Sequence, residues 1–579
     1  MSNDHSNPFR LRRVERMADD EIRRTYCQPQ PNVRLTDSRN VILQGARGSG
    51  KSTVLRAVTD SPSPDGTFIS ADNALVVGTY ISLGQTWVAG FQRRHWISSD
   101  KRSVLFDQAL NLYIAEQFVT TAERLCDAIT TDEQDTARSR AAAMRIIARQ
   151  LFKSPASFDA TDANSLRKAL FGAQCAIREQ SLRALFGEPL VPPREIISLD
   201  LFEPIRAATA DIAKLFGTKP LLWTFAFDEL ENLSEEQQES FNTIIRNSSN
   251  PLVIKAASLP HGHKTLRTLG DNNPLVPGDD FEYLALQIDP KSPSGMQFCM
   301  DLYTKRVSGG RGGPSLPEDL KLWVGDLDLR GRAQEAFAET EPNKTLEEGV
   351  RQLLDPAESD PKNDDSIRQY VPVFAMRVLR HKASGNAGVA AYSGFRDIVA
   401  ASDGNPRRFL RILDRLFEES GGAAIVSPGK QSEILRSVAD GAFERLTALP
   451  GYGPRVRDFV GLLGSSLERR LHDTPRLLRD SCSIKLDLDN VGLLKPPLIA
   501  AIAYGVLCPW EFDSRFGYPR GPHEYSLSFS LAPRYWLVLR RGKALELTEL
   551  GRVSSIENPA QLLLPLAPPR SSEEGPESP

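Results

Sequence analysis

At 579 residues with 40% hydrophobic content, the chain has room for roughly three or four domains with ordinary cores. A formal net charge of -3 and a pI near 6.3 exclude a uniformly basic nucleic-acid coat, so any DNA contact must be regional. The cysteines at Cys27, Cys126, Cys175, Cys299, Cys482 and Cys508 never form C-x-x-C, which argues against a zinc site or disulfide framework and for a reducing compartment. Met1-Ser2-Asn3-Asp4 is polar, and the longest apolar stretch, Leu498 to Cys508, is too short to span a bilayer; the expected location is cytoplasmic.

The apolar run Val41-Ile42-Leu43 leads directly into Gly45-Ala46-Arg47-Gly48-Ser49-Gly50-Lys51-Ser52-Thr53, which fills every fixed place of the G-x-x-x-x-G-K-S/T phosphate loop. Gly45, Gly48 and Gly50 let the backbone curl so that successive N–H groups face anionic oxygens. Lys51 is placed for the β- and γ-phosphates, and the Ser52 hydroxyl for Mg2+. A helix from Lys51 to about Asp60 adds the positive end of its dipole.

A second strand is expected from Gly78 to Leu83, followed by a long insertion. In it Val104-Leu105, Ala109-Leu110, Leu112-Tyr113, Ala115 and Phe118 recur near helical spacing, as do Ala142, Ile146, Ile147 and Leu151. The spacing predicts a helical subdomain whose apolar stripes form its core.

The run Leu221-Leu222-Trp223-Thr224-Phe225-Ala226-Phe227 reads as a strand buried on both faces, ending in Asp228-Glu229. This is the form of a Walker B strand: Asp228 is expected to hold Mg2+, and Glu229 to polarise the water that attacks the γ-phosphate. Ser234-Glu-Glu-Gln237 is a capping box that opens a helix through Phe241, Ile244 and Ile245. Leu252 to Ala257 forms a further strand ending in Ser258, which is either a γ-phosphate sensor or an ordinary serine at the start of a loop. His261-Gly-His263 lacks a nearby third ligand and reads as loop.

Guanine specificity is unsupported, because the only Asn-Lys, Asn343-Lys344, continues as Thr345-Leu346. Val307-Ser308-Gly309-Gly310-Arg311 lies beyond Asp228, where an ABC signature does not belong, and reads as Gly-rich linker. Ser308 to Pro317 and the acidic Asp355 to Asp365 are expected to be surface linkers. In Gly404-Asn405-Pro406-Arg407-Arg408, Asn405 is a natural N-cap and Pro406 a natural first helical residue, so both arginines fall in a first turn. Cations there oppose the helix dipole unless an anion compensates.

Gly404 to Arg408 resembles the sensor 2 element of AAA+ ATPases, especially the origin-recognition/initiator-like branch. The resemblance implies that an arginine here reaches the nucleotide phosphates; Arg407 matches best, with Arg408 its neighbour. Asp228-Glu-Leu-Glu-Asn-Leu233 and Gln237 through Asn247 are similar to the Walker B segment and following helix of bacterial members, and Asn7-Pro8-Phe9 to their lead-in. Arg246 and Arg267 are alternative arginine-finger candidates for a homo-oligomer. The branch also implies ATP and Mg2+ as cofactors.

Toward the C-terminus, a helix containing Leu498 to Ile502 precedes two expected strands, Tyr525 to Ser530 and Tyr535 to Leu539. This order resembles a winged-helix module. Arg534, Arg540, Arg541 and Lys543 lie beside Tyr535 and Trp536, a cluster suited to a DNA backbone, although Glu546 and Glu549 are near and winged helices also dock proteins.

The expected fold is α/β: a lead-in (1–30), a P-loop AAA+ core with a parallel sheet (31–90 and 218–307), a large helical insertion (91–217), a linker and helical lid (308–447), a winged-helix-like domain (448–567) and a disordered tail (568–579). The expected function is an ATPase that switches interaction with DNA or a protein partner. The alternative is a nucleotide-regulated assembly switch, of the type found in bacterial defence, without a direct DNA role.

Overall fold

Five apolar runs become a parallel sheet in the computed structural model. β1 is Val41–Gln44, β2 Leu75–Ser82, β3 Leu221–Asp228, β4 Leu252–Ser258 and β5 Glu282–Ala285, in the spatial order β2-β3-β4-β1-β5. The structure describes residues 7–10, 17, 19–28, 35, 37–59, 75–130, 132–152, 161–189, 202–216, 221–249, 251–270, 273–308, 316–354, 364–384, 388–474, 477–478, 482–509, 511–515, 517–519 and 521–546. The chain divides into two units: Met1–Gly313 with Gly404–Arg411 and Phe512–Tyr518, and Pro314–Asp403 with Ile412–Glu511 and Pro519–Pro579.

In the first unit every residue of β3 and β4 is buried, as near-continuous apolar strands covered on both faces require. Register aligns Gln44 with Ser258 and Ser82 with Asp228, so the polar residues that end the strands share one edge. β2 begins three residues before the expected Gly78, and Leu75, Val76 and Val77 pair with Leu221, Leu222 and Trp223. Gly78 is therefore a mid-strand glycine. A Cβ there would come 2.8 Å from the Thr59 Cβ, so the residue marks a close approach of the helix Lys51–Thr59.

Alternation along the strands divides the core. Leu43, Val54, Leu55, Leu222, Ala226 and Val253 pack on the face covered by the Lys51–Thr59 helix. On the other face Trp223, Phe225 and Phe227 join the insertion. That insertion contains the helices Gln85–Gln92, Ser99–Ile129, Glu133–Leu151, Ala163–Arg183 and Phe202–Phe216. Asp132 and Asp162 cap two of them by accepting N–H bonds from the first turn. Phe118 lies 5.2 Å from Trp223 and 6.2 Å from Phe225, ring centre to ring centre. The insertion is thus the cover of one sheet face and shares its core. The lead-in contributes Phe9, buried and stacked on Tyr303 at 5.6 Å.

The second unit is mostly helical and carries a small mixed sheet. β6 (Ser483–Asp487), β7 (Leu507–Pro509), β8 (Pro522–Leu527) and β9 (Leu545–Glu546) lie in the order β7-β8-β6-β9, with β8 antiparallel to both neighbours. The helix expected around Leu498 to Ile502 forms as Lys495–Ala503 and connects β6 to β7, two strands not expected from the sequence. The expected strand Tyr535 to Leu539 does not form: Ala532–Tyr535 is a 3-10 helix, and Trp536 follows at φ +52°. Pro533 favours such a turn, and the positive φ of Trp536 takes the chain out of an extended path.

The tail and most of both expected linkers lie outside the described residues. Among the described residues no helix is long and apolar enough to cross a membrane.

Candidate functional site

The chain leaves β1 at Gln44 and turns at once, with Gly45 N–H donating to the Ser258 carbonyl at 3.2 Å and Ser49 N–H to the Ala46 carbonyl at 3.1 Å. Gly48 and Gly50 have φ of +90° and +96°, a region that side chains disfavour. A Cβ on Gly45 would come 2.5 Å from Ser49 Oγ and 3.0 Å from the Leu286 carbonyl. The helix Lys51–Thr59 then starts one residue after the last glycine and places Ser52 and Thr53, both half-buried, in its first turn.

Lys51 is buried, and its Nζ donates to the carbonyls of Gly45 at 2.6 Å and Ala46 at 3.3 Å. Burial pushes its pKa down. The carboxylates of Glu231 and Asp228 oppose that shift, while the charges of Arg407 and Arg47 add to it. The buried Ser49 hydroxyl has no hydrogen-bond partner among the described residues. A curled donor-rich loop, an orphaned hydroxyl and several cations around one lysine fit a bound phosphate chain.

Asp228, buried at the end of β3, accepts a 2.7 Å bond from the Tyr80 hydroxyl and a 2.9 Å bond from the Glu229 N–H. Glu229 itself stands at φ +66°, a conformation uncommon for a residue with a side chain and typical of constrained functional positions. Its carboxylate accepts from Asn232 Nδ2 at 3.3 Å, and the same amide donates to the Leu83 carbonyl at 2.9 Å. Ser258 is buried, and its Oγ donates to the Leu259 carbonyl at 3.0 Å.

The segment Gly404–Arg411 belongs to this unit and brings the expected arginine to the loop. Asn405 Oδ1 accepts the N–H groups of Arg407 at 3.1 Å and Arg408 at 3.3 Å, so it is the N-cap of the helix Pro406–Ser420. Asn405 Nδ2 donates to the Arg47 carbonyl at 3.1 Å. A Cβ on Gly48 would come 3.0 Å from the Arg407 Cβ, which measures how closely that arginine covers the loop. Arg408 is the less exposed of the pair.

The structure therefore brings together Gly45 to Thr53, Asp228, Glu229, Ser258 and Arg407. The finger candidates are engaged within the chain: Arg246 pairs with Asp280 at 2.7 Å and Arg267 with Glu239 at 2.9 Å. His263 is a buried core residue, hydrogen-bonded through its ring nitrogens to Tyr283 and Asn242 at 2.7 and 2.9 Å. Sequence reasoning missed Tyr80, Asn232 and Glu231. Tyr80 had a signal in hindsight, as a hydroxyl-bearing residue two positions before a strand end that aligns with Asp228. Also missed was Phe512–Tyr518, where Ser514 accepts the Tyr283 N–H at 3.0 Å and Gly517 closes on Gln44.

The family profile described as ORC-CDC6-like matches residues 7–547, nearly the whole chain. The chain belongs to the ORC-CDC6-like family. Membership accounts for the parallel-sheet α/β core and implies nucleotide binding of the AAA+ type. No curated protein matches the sequence.

Proposed function

We propose that this ORC-CDC6-like chain binds ATP, hydrolyses it with Mg2+, and uses the nucleotide state to switch its interaction with DNA or a protein partner. The observation that carries the reading is a glycine-turned loop that buries Lys51 against its own carbonyls, with Asn405 bonded to the loop and Arg407 closing on Gly48. In this reading the N–H groups of Gly45 to Thr53 wrap the phosphates, and Lys51 exchanges its loop carbonyls for phosphate oxygens. Arg407 adds charge from the lid helix. Ser52 and Asp228 would hold Mg2+, which would supply charge neutralisation to the phosphate chain. Glu229 orients the attacking water, and Ser258 hydrogen-bonds the γ-phosphate or that water. Tyr80 and Asn232 fix the two carboxylates through the bonds described above. Phosphate release tests the chemistry: Glu229→Gln retains ATP binding and loses turnover, whereas unchanged turnover removes Glu229 from its role.

Helices Phe395–Ala401, Pro406–Ser420 and Pro428–Glu444 support a helical lid. The strand order β7-β8-β6, with a helix between β6 and β7, supports a winged-helix-like C-terminal domain. A specific observation favours the second reading, an assembly switch without a DNA role. Arg534 pairs with Asp440 and lies 4.2 Å over the Phe443 ring, Tyr535 is buried, and Arg540 donates to the Gln369 carbonyl at 2.7 Å. Much of the expected basic-aromatic cluster is therefore engaged within the chain. DNA binding at low salt, with and without ATP, separates the readings: ATP-dependent, salt-sensitive affinity supports the first, and ATP-dependent oligomers without DNA affinity the second.

A further inference from the structure

The loop after β3 carries a carboxylate that neither the metal nor the water role uses. Glu231 Oε2 accepts the N–H of Leu259, the first residue beyond β4, at 3.1 Å. The Leu259 carbonyl in turn accepts the Ser258 hydroxyl at 3.0 Å and the Gly262 N–H at 2.8 Å. A Cβ on Gly262 would come 2.5 Å from Ser258 Oγ and 2.7 Å from the Glu231 Cβ, so the three residues share one packed corner. Lys264 ties the outer side, its Nζ donating to the carbonyls of Glu231 at 3.1 Å and Leu233 at 2.5 Å. Gln238 completes the corner by donating to the carbonyls of Leu230 at 3.2 Å and Gly262 at 2.8 Å.

The bond between Glu231 and Leu259 joins the segment bearing Asp228 and Glu229 to the segment bearing Ser258. Both partners of this bond are partly buried at the corner, and leaving either unpaired carries the desolvation penalty of a polar group, so the bond suits a fixed spacing between two loops. Burial pushes the Glu231 carboxyl up, and the Lys51 ammonium opposes that shift.

We propose that Glu231 is a positioning residue: by holding the Leu259 amide it keeps the Ser258 hydroxyl on the γ-phosphate side of the nucleotide site, where the hydroxyl exchanges the Leu259 carbonyl for a γ-phosphate oxygen, and so lets the site distinguish triphosphate from diphosphate. The inference rests on the nucleotide-binding reading above.

The test is equilibrium titration of the full chain with ADP and with slowly hydrolysed ATPγS, comparing their dissociation constants in wild type, Glu231→Gln and Glu231→Ala. Glu231→Ala is expected to reduce the preference for triphosphate by about fivefold or more, while ADP affinity stays within about twofold. Glu231→Gln keeps an oxygen that accepts the Leu259 N–H, and restores most of that preference. Gly262→Ala crowds the same corner without touching the carboxylate chemistry; it should reduce the preference in the same direction, and serves if Glu231→Ala does not fold. A wild-type preference retained in Glu231→Ala or, failing that, in Gly262→Ala overturns the inference, as does a Glu231→Gln variant that behaves like Glu231→Ala. Wild-type protein with equal affinity for both nucleotides overturns it while leaving nucleotide binding intact. Wild-type protein that binds neither removes the nucleotide-binding reading and this inference together.

Discussion

The side-chain amide of Asn405 donates a 3.1 Å hydrogen bond to the carbonyl of Arg47, while its oxygen caps the helix that carries Arg407. One residue therefore fixes where that helix starts and attaches it to the phosphate loop. The two functions are separable by chemistry. Asn405→Asp preserves the cap, since aspartate caps as well as asparagine, so the stability lost should not exceed the worth of the Arg47 bond, about 0.5–1.5 kcal/mol. Its carboxylate has no N–H for the Arg47 carbonyl and brings a negative charge to the phosphate loop, so ATP affinity should fall about threefold to tenfold. Thermal melts paired with ATP titration check both halves.

Glycines at two positions should respond oppositely to the same change. Gly404 stands at φ +67°, and a Cβ there would overlap the Ile288 carbonyl. Gly404→Ala should destabilise the protein by more than about 1 kcal/mol and weaken ATP binding. Gly172 lies inside the helix Ala163–Arg183 with open space around the Cβ position, so Gly172→Ala should stabilise by about 0.5–1 kcal/mol. Urea unfolding of both variants decides.

Because the insertion shares its core with the sheet, truncating its contact to β3 should resemble a central core mutation. Phe118→Ala is expected to cost about 3–5 kcal/mol. Phe186, 83% exposed in the same insertion, should tolerate Phe186→Ala within about 0.5 kcal/mol. Equal losses in the two variants would mean that the insertion does not pack as described.

Stability should fall with acidification through His263. Burial pushes its pKa down from 6.5 to about 4. The unfolded chain therefore takes up a proton at this position below about pH 6.5, where the folded chain does not. The associated stability is fully present above pH 6.5 and is lost progressively as pH falls toward 4, to a limit of about 3 kcal/mol. His263→Gln should flatten this part of the profile in urea titrations run from pH 7 to pH 4.5.

The phosphate loop and the strand ending in Asp228 were legible because each is a local pattern: glycines where φ turns positive, and an apolar run where both sheet faces are covered. The capping box at Ser234 and Gln237 was legible for the same reason and forms with both hydrogen bonds. Partners distant along the chain were not. Asn405 and Arg47 meet across 358 positions, and nothing in either segment names the other. Lys255 sits buried in β4, where a charge argues against a core strand, and is accommodated because its Nζ donates to the carbonyls of Asp37 and Arg39 at 2.9 and 2.5 Å. Tyr535 to Leu539 looked like a strand because its residues favour β structure, but the turn at Pro533 and the positive φ of Trp536 prevail.

The loop from Gly45 to Thr53 is expected to bind a nucleoside triphosphate through Lys51 with help from Arg407. Calorimetric titration of ATP with Mg2+ onto wild type, Lys51→Ala and Arg407→Ala tests it most directly. Wild type should show saturable one-site binding, Arg407→Ala a loss of about tenfold or more, and Lys51→Ala no measurable binding. Wild-type affinity retained in folded Lys51→Ala protein would contradict it.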